Sequence, residues 1–357
     1  MNGEKKMSVK DCDSHKLMYH PRHLTSWLDN NPSPLHAEIG VTNKCNHRCK
    51  FCTLDWITRG VDVIDKDILL KTIKDMARMG VKSIYYAGEG EPTLHSNISD
   101  FIEYGKSLGI SQSISTNGTL FNKNMAEKTL PHLSWIRFSL DAATEDTYSK
   151  IHGVNGALFN TVIKNIETAV NIKKANDYNV DIGIQLILMP ENINEIETLA
   201  KYCKSIGVDN FQVKPAHSHP KSSYTPGIYN LSQQTLKENL EKLEDDKFTV
   251  VVRVKSMERL VLKRNYERCH GFDFYIIIDA KGNIVPCNIF YDNKDYIFGN
   301  LYKNTFEEIW NSQERKDVIN KIEQSKHCMC GDYRCRLDVL NRYLERVKVP
   351  ETNDEFI

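Results

Sequence analysis

No run of apolar residues approaches the ~20 that a membrane span requires. The opening stretch, MNGEKKMSVKDCDSHK, lacks the apolar core of a secretory signal, which points to the cytoplasm. Net charge is missing too. The 47 basic residues balance 47 acidic ones, so no global positive field gathers nucleic acid, which disfavours RNA or DNA as a partner. There is no low-complexity tract, no internal repeat beyond a β/α unit, and no convincing nucleophilic triad. What the sequence does carry is cysteine. Ten cysteines in 357 residues, in a reducing compartment, argue for metal or redox chemistry over disulfides. Apolar residues at 40% and charged residues at 26% describe an ordinary globular protein, long enough for one large domain and a smaller one.

Hydrophobic periodicity divides the chain. Residues 1–35 read as an arm with a short helix in YHPRHLTSWLDN, ending before Pro32 and Pro34 and laid on the main domain. Over 36–225, six β-rich runs (36–42, 82–88, 111–116, 135–140, 182–189 and 210–216) alternate with helical patterns. One helix places Ile68, Leu69, Ile73 and Met76 on one face and stops at Gly80; another turns Ile196, Leu199, Ala200 and Cys203 inward. Repeated β-then-α units predict parallel strands with helices outside. Six fall short of the eight in a closed barrel, so the expected fold is α/β, a partial (β/α)6 TIM-like barrel. A linker with a charged helix (226–265), a small α+β cysteine-rich domain (266–345) and a frayed tail (346–357) follow. A single helix is expected over 305–324.

The stretch TNKCNHRCKFC holds Cys45, Cys49 and Cys52 in a C-x3-C-x2-C spacing directly after the first strand. Three thiolates suit a [4Fe–4S] cluster with one iron open to a non-protein ligand. The alternative is zinc, with His47 completing Cys3His. In barrels of this kind chemistry gathers at the C-terminal strand ends. With Phe51 before its last cysteine, the motif resembles the signature of radical S-adenosylmethionine (SAM) enzymes.

The later strand ends carry the same resemblance. Gly90-Glu91-Pro92 is similar to the family's Gly-Gly-Glu-Pro segment at the methionine ammonium, with Glu89 where a glycine often stands. STNGTL supplies Thr116 and Asn117, SLD supplies Ser139 and Asp141 toward the ribose, and the fifth strand and its loop offer Gln185 and Asn192. The resemblance implies SAM bound at the open iron, reductive cleavage to methionine and a 5′-deoxyadenosyl radical, and reduced flavodoxin or ferredoxin as electron donor.

A second cysteine set begins at Cys269. Its C-x12-G-x4-C pattern to Cys287, followed by FGNLYKNTFEEIWNS, resembles the auxiliary-cluster domains called SPASM and twitch. Cys328, Cys330 and Cys335 complete it. Five cysteines cannot fill eight ligand positions, so one auxiliary [4Fe–4S] cluster is expected, on Cys269, Cys287 and two of the last three. A structural zinc with His327 is the alternative. The leftover cysteine is either idle or a hydrogen donor near the substrate; Cys203 and Cys12 read as bland.

In similar twitch enzymes such a cluster accepts the second electron of an alcohol oxidation. The leading expectation is therefore an oxidoreductase of a hydroxyl-bearing small molecule: a sugar, nucleotide sugar or cyclitol. Lys214, His217 and His219 are candidate bases, with Arg268 and His270 behind them. The arm is too short for a winged-helix leader-binding module, which counts against a peptide substrate. A carbohydrate epimerase and a peptide or protein maturase are the alternatives. Anaerobically reconstituted protein is expected to hold about eight irons per chain, the content of two [4Fe–4S] clusters. About four, by iron and sulfide analysis, would remove the auxiliary cluster.

Overall fold

Short strands dense in Ile, Val and aromatics are covered on both faces, as parallel strands are. They are β1 (His36–Ile39), β2 (Ser83–Tyr86), β3 (Ser111–Thr116), β4 (Leu133–Ser139), β5 (Asp181–Leu188), β6 (Asn210–Pro215) and β7 (Thr249–Val252). Each pairs in parallel with the next. The computed structural model describes residues 15–226, 233–254, 263–325, 335–354 and 356. After helix α1 (Pro21–Leu28), the crossovers are α2 (Lys66–Arg78), α3 (Ile98–Ser107), α4 (Lys123–Thr129), α5 (Glu145–His152), α6 (Leu158–Asn176), α7 (Ile196–Ile206) and α8 (Gln233–Glu241). None among the described residues is long and apolar enough to cross a membrane.

Local chemistry sets the helix ends. Asp65 caps α2 by accepting from the Asp67 and Ile68 amides at 2.9 and 3.1 Å. Leu69, Ile73 and Met76 of α2 are buried and Ile68 is partly so, while α7 buries Ile196, Leu199, Ala200 and Cys203. Burial also pushes the Cys203 thiol up, the behaviour of a small core hydrophobe.

Three expectations change. The stretch read as a linker contributes β7, a seventh parallel strand, too short at TVVV to declare a period. Among the described residues the cysteine-rich region builds no sheet of its own. Its strand β8 (Tyr275–Ile278) pairs in parallel with β1 on the side away from β2, and β9 (Asn283–Val285) and β10 (Gly299–Asn300) extend it as antiparallel neighbours. The result is one ten-stranded sheet in the order β10-β9-β8-β1-β2-β3-β4-β5-β6-β7, an unclosed barrel. The helix expected over 305–324 breaks at Ser312. Ser312 ends Phe306–Asn311, and its hydroxyl caps Gln313–Gln324 by accepting from the Arg315 amide at 3.1 Å.

The arm reaches the cysteine-rich region as well as the barrel. The Trp27 indole donates to Asp273 at 3.0 Å, and the Trp310 indole donates to the Pro32 carbonyl at 3.0 Å. Trp27, Phe274, Ile277, Leu340 and Leu344 share a second core beside the main one. The last helix, Asp338–Lys348, runs into the stretch expected as a tail.

Glu89 joins the two cysteine regions. Its carboxylate crosses from the end of β2 to accept from the Ala280 amide at 2.5 Å, in the turn after β8. Burial, with Asp279 nearby, raises its pKa from 4.5 to about 8. Between those values the unfolded chain has lost the proton that the folded protein keeps. This contribution to stability is therefore full below pH 4.5 and lost as pH rises through about 8. Glu89→Gln keeps the carbonyl acceptor and removes the titration. Thermal melts across pH 5–8 are expected to show the variant gaining on wild type as pH rises, by roughly 1–3 kcal/mol at the upper end. A constant difference across that range would contradict the assignment.

Candidate functional site

The segment 45–52 is a loop with little regular structure, so its polar groups need partners elsewhere. Helix α5 supplies two. The Arg48 and Lys50 amides donate to the His152 and Ile151 carbonyls at 3.0 and 2.8 Å, using acceptors that the end of a helix leaves over. Gly153 makes this contact possible: it is left-handed (φ 63°), and a Cβ there would lie 2.4 Å from the Arg48 carbonyl. On the other side Asn46 accepts from the Asn117 amide group at 2.7 Å and donates to Thr119 at 2.8 Å. Gly90 packs so closely that a Cβ would stand 2.2 Å from the Thr42 carbonyl.

Held this way, Cys45, Cys49 and Cys52 line one cavity of about 300 Å³. Burial raises the Cys45 and Cys49 thiols, Asp141 and the other cysteines add to the effect at Cys49, and Arg59 opposes it at both. The Arg59 guanidinium donates to Cys52 Sγ at 3.0 Å and also reaches Cys45. Among the described residues no three Cys, His, Asp or Glu side chains group as a single metal ion would require. Three thiols on one cavity, with the Arg59 guanidinium at two of them, fit a cubane that would leave one iron open. His47, weighed as a zinc ligand, faces the Tyr148 hydroxyl across 3.2 Å, and burial lowers its pKa to about 4.

Glu91 is the polar hub of the cavity. One carboxylate oxygen accepts from the Thr93 amide at 3.0 Å and from the Thr93 and Thr116 hydroxyls at 2.6 Å each; the other accepts from the Asn117 amide at 2.8 Å. The ends of β2 and β3 are thereby tied together beside the thiols. Burial raises the carboxyl's pKa and these bonds oppose that.

Gly90, Glu91, Thr116, Asn117, Ser139 and Gln185 all line the same cavity as the three cysteines. Pro92, Asp141 and Asn192 do not. Pro92 starts the turn that positions Glu91. Asp141 lies wholly buried one layer down, accepting from the Ile187 amide and, at 3.2 Å, from the Ser139 hydroxyl. Asn192 braces that layer, donating to the Asp141 and Ile187 carbonyls at 2.8 and 2.9 Å.

None of the candidate bases Lys214, His217 and His219 lines the cavity. His219 stacks on Trp56 with ring centres 5.7 Å apart, and burial lowers its pKa to about 4. Its loop reaches the cysteine segment through Ser222, whose hydroxyl donates to the Cys52 carbonyl at 3.5 Å. His270 is buried and meets Glu345 at 3.0 Å.

The cavity also holds residues that the motifs did not single out: Glu38, Tyr85, Arg137, Arg336, Arg59 and His152. Glu38 accepts from the Tyr275 hydroxyl at 2.6 Å and pairs with Arg336; Arg137 lies 4.7 Å over the Trp135 ring. A signal existed for the strand members. A charged or polar residue inside an otherwise apolar parallel strand, as in HAEI or WIRFS, marks a side chain facing the lumen.

In the second set, burial raises the Cys269, Cys287 and Cys335 thiols; Cys335 lies close enough to raise Cys269 further, to about 12, and Cys335 and Cys269 both add to the rise at Cys287. The Asn341 amide and the Leu337 backbone N–H donate to Cys269 and Cys335 at 3.4 and 3.3 Å. Cys335 is thus one of the two further ligand candidates; Cys328 and Cys330 lie outside the described residues, as do His327 and Cys12.

Known proteins carry the same combination. A profile of the radical SAM superfamily matches residues 39–203, and one of the SPASM iron–sulfur cluster-binding domain matches residues 269–336. The antilisterial bacteriocin subtilosin biosynthesis protein AlbA of Bacillus subtilis is 24% identical over 321 residues, 85% of this chain; the chain spans only 66% of AlbA. The tungsten-containing aldehyde ferredoxin oxidoreductase cofactor-modifying protein of Pyrococcus furiosus is 26% identical over 77% of this chain and 80% of its own. Among solved structures, Streptococcus suis SuiB bound to S-adenosylmethionine shares the fold over 94% of this chain and 79% of its own, with TM-score 0.66 and 17% identity. SuiB also shares it in a structure bound to the precursor peptide SuiA, over 98% of this chain and 82% of its own, at 16% identity and the same TM-score. The cysteine loop, the glutamate hub and the second thiol set therefore have one explanation: the chain belongs to the radical SAM superfamily and carries a C-terminal SPASM-type auxiliary iron–sulfur domain.

Proposed function

We propose that the protein modifies a peptide by radical SAM chemistry. The observation that carries this is the AlbA similarity, which runs through 85% of the chain. The fold shared with SuiB supports it. So does the unclosed sheet, with β7 and β10 as its edges, because a lumen open at the side admits an extended chain. The relatives named above favour this reading over the dehydrogenation of a sugar expected from the cysteine count. When bound, the [4Fe–4S] cluster and SAM supply a 5′-deoxyadenosyl radical that takes a hydrogen atom from substrate.

The chain's own residues have separable tasks. Cys45, Cys49 and Cys52 hold the cluster. Glu91 and the Gly90 backbone receive the methionine ammonium, with Thr116 and Asn117 fixing the carboxylate. Ser139 and Gln185 face the nucleoside, and Asp141 and Asn192 stiffen the wall behind them. Cys269, Cys287, Cys335 and one cysteine of the 328–330 pair hold the auxiliary cluster. Buried, neutral histidines and the loop carrying His219 keep water from the thiols.

The test uses reconstituted holoenzyme with SAM, dithionite and a panel of candidate peptides, any short precursor encoded beside its gene among them. Expected are peptide-dependent 5′-deoxyadenosine and a peptide lighter by about 2 Da, two hydrogens lost in oxidation or cross-linking. Both should vanish in the triple variant of Cys45, Cys49 and Cys52 to Ala. Turnover of nucleotide sugars, with every peptide unchanged, would overturn the proposal.

A further inference from the structure

The last turn of α5 does more than anchor the cysteine loop. It carries His152, wholly buried, with Nδ1 3.3 Å from Cys49 Sγ. The ring is held on all sides. Tyr148 lies against it at 4.3 Å between ring centres, and His47 and Phe51 meet it edge-on at 5.5 and 6.0 Å. Asp141 Oδ2 sits 3.4 Å from Nε2, but the angle makes no hydrogen bond, and Nε2 has no such partner. Cys49 Sγ is thus the one hydrogen-bonding partner of the ring among the described residues. A thiolate on iron can only accept, so the facing nitrogen carries the proton.

From this arrangement we infer that His152 is a positioning residue for the SAM-binding cluster, donating Nδ1–H to the Cys49 thiolate and raising the cluster's reduction potential. The inference rests on the radical SAM reading of the site. Hydrogen bonds to ligating sulfurs withdraw electron density and favour the reduced state, and a dry surrounding strengthens each bond. Two features set this histidine apart from a packed core residue. The backbone of its own turn, through the Arg48 and Lys50 amides, fixes the sulfur-bearing loop at a set distance from the ring. Asp141, held by Ile187, Ser139 and Asn192, closes the far side, so the ring cannot turn away without losing packing.

The experiment uses the full-length reconstituted holoenzyme with 15N-labelled histidine. The SAM-responsive part of its reduced EPR spectrum identifies the cluster. Pulsed EPR is expected to show a 15N coupling and an exchangeable proton on that signal. His152→Phe should lose the 15N coupling and the exchangeable proton of Nδ1, leaving that of Arg59 at Cys52, and reduce at a lower potential. His152→Asn, whose amide nitrogen takes the place of Nδ1, should lose the 15N coupling, keep the exchangeable proton and recover part of the potential. His152→Gln, with its amide further out, should not.

An unchanged potential in iron-replete His152→Phe, or a 15N coupling that survives it, overturns the inference. If that variant cannot hold iron, wild type and His152→Asn still decide, because absence of the coupling in wild type overturns it as well. A wild-type protein with no SAM-responsive cluster sinks both this inference and the reading beneath it. An intact SAM response without the coupling sinks this one alone.

Discussion

Strand β1 is paired in parallel on both sides, by β2 and by β8, and the site follows from that constraint. Neighbouring strands stand about 4.8 Å apart, and parallel strands end at the same edge. The loop after β1 carries the first cysteines. Its flanks are then fixed: the Glu91 segment after β2 on one side, the turn after β8 leading to Cys287 on the other. Glu38 on β1 records the same geometry inside the barrel, meeting Tyr275 of β8 and Arg336 beside Cys335. Two sets of thiols far apart in sequence are thus held by one sheet. The first lies beyond the C-terminal end of β1; the second lies beside the N-terminal end of β8, where Cys269 precedes that strand and Cys287 follows β9 back along it. A separate C-terminal domain would have left their relation to a linker.

The cysteine loop has almost no structure of its own, and its surroundings show how such a loop is kept in place. Its amides go to the C-terminal carbonyls of α5, and its asparagine goes to the Asn117 turn. The histidines around it, His47, His152 and His219, are all driven toward the neutral ring by burial, to pKa values of about 4, about 3 and about 4. Arg59 brings a full positive charge to the three sulfurs. Thiolates in a dry site need compensation, and one guanidinium with neutral donors around it leaves the remaining charge for iron.

Much of this was legible in the chain. Six of the strands, the cysteine loop after the first of them and the turns after the next three stand at or near their expected places, because hydrophobic period and turn residues are local signals. Other assignments named the right segment and misjudged the side chain's depth. Asp141 and Asn192 do sit at the ends of their strands, yet they brace the wall and do not line the cavity. Lys214 stands near the end of β6 and His217 and His219 follow it, as expected, and the loop sets His219 against Trp56. Whether a polar side chain at a strand end points into the barrel or under the next crossover depends on packing partners in other segments, Ile187 for Asp141 and Trp56 for His219.

By itself the sequence determined the chemistry: three closely spaced thiols and a glutamate in a glycine–proline turn, written in neighbouring residues, and a second thiol set, written in the spacing of its cysteines. Tertiary structure decided their joint geometry. The parallel pairing of β8 with β1, the docking of α5 on the cysteine loop and the approach of His152 to Cys49 all come from contacts between distant segments. Such contacts leave no period and no spacing to read, because what selects them is shape and hydrogen-bond satisfaction in the assembled core.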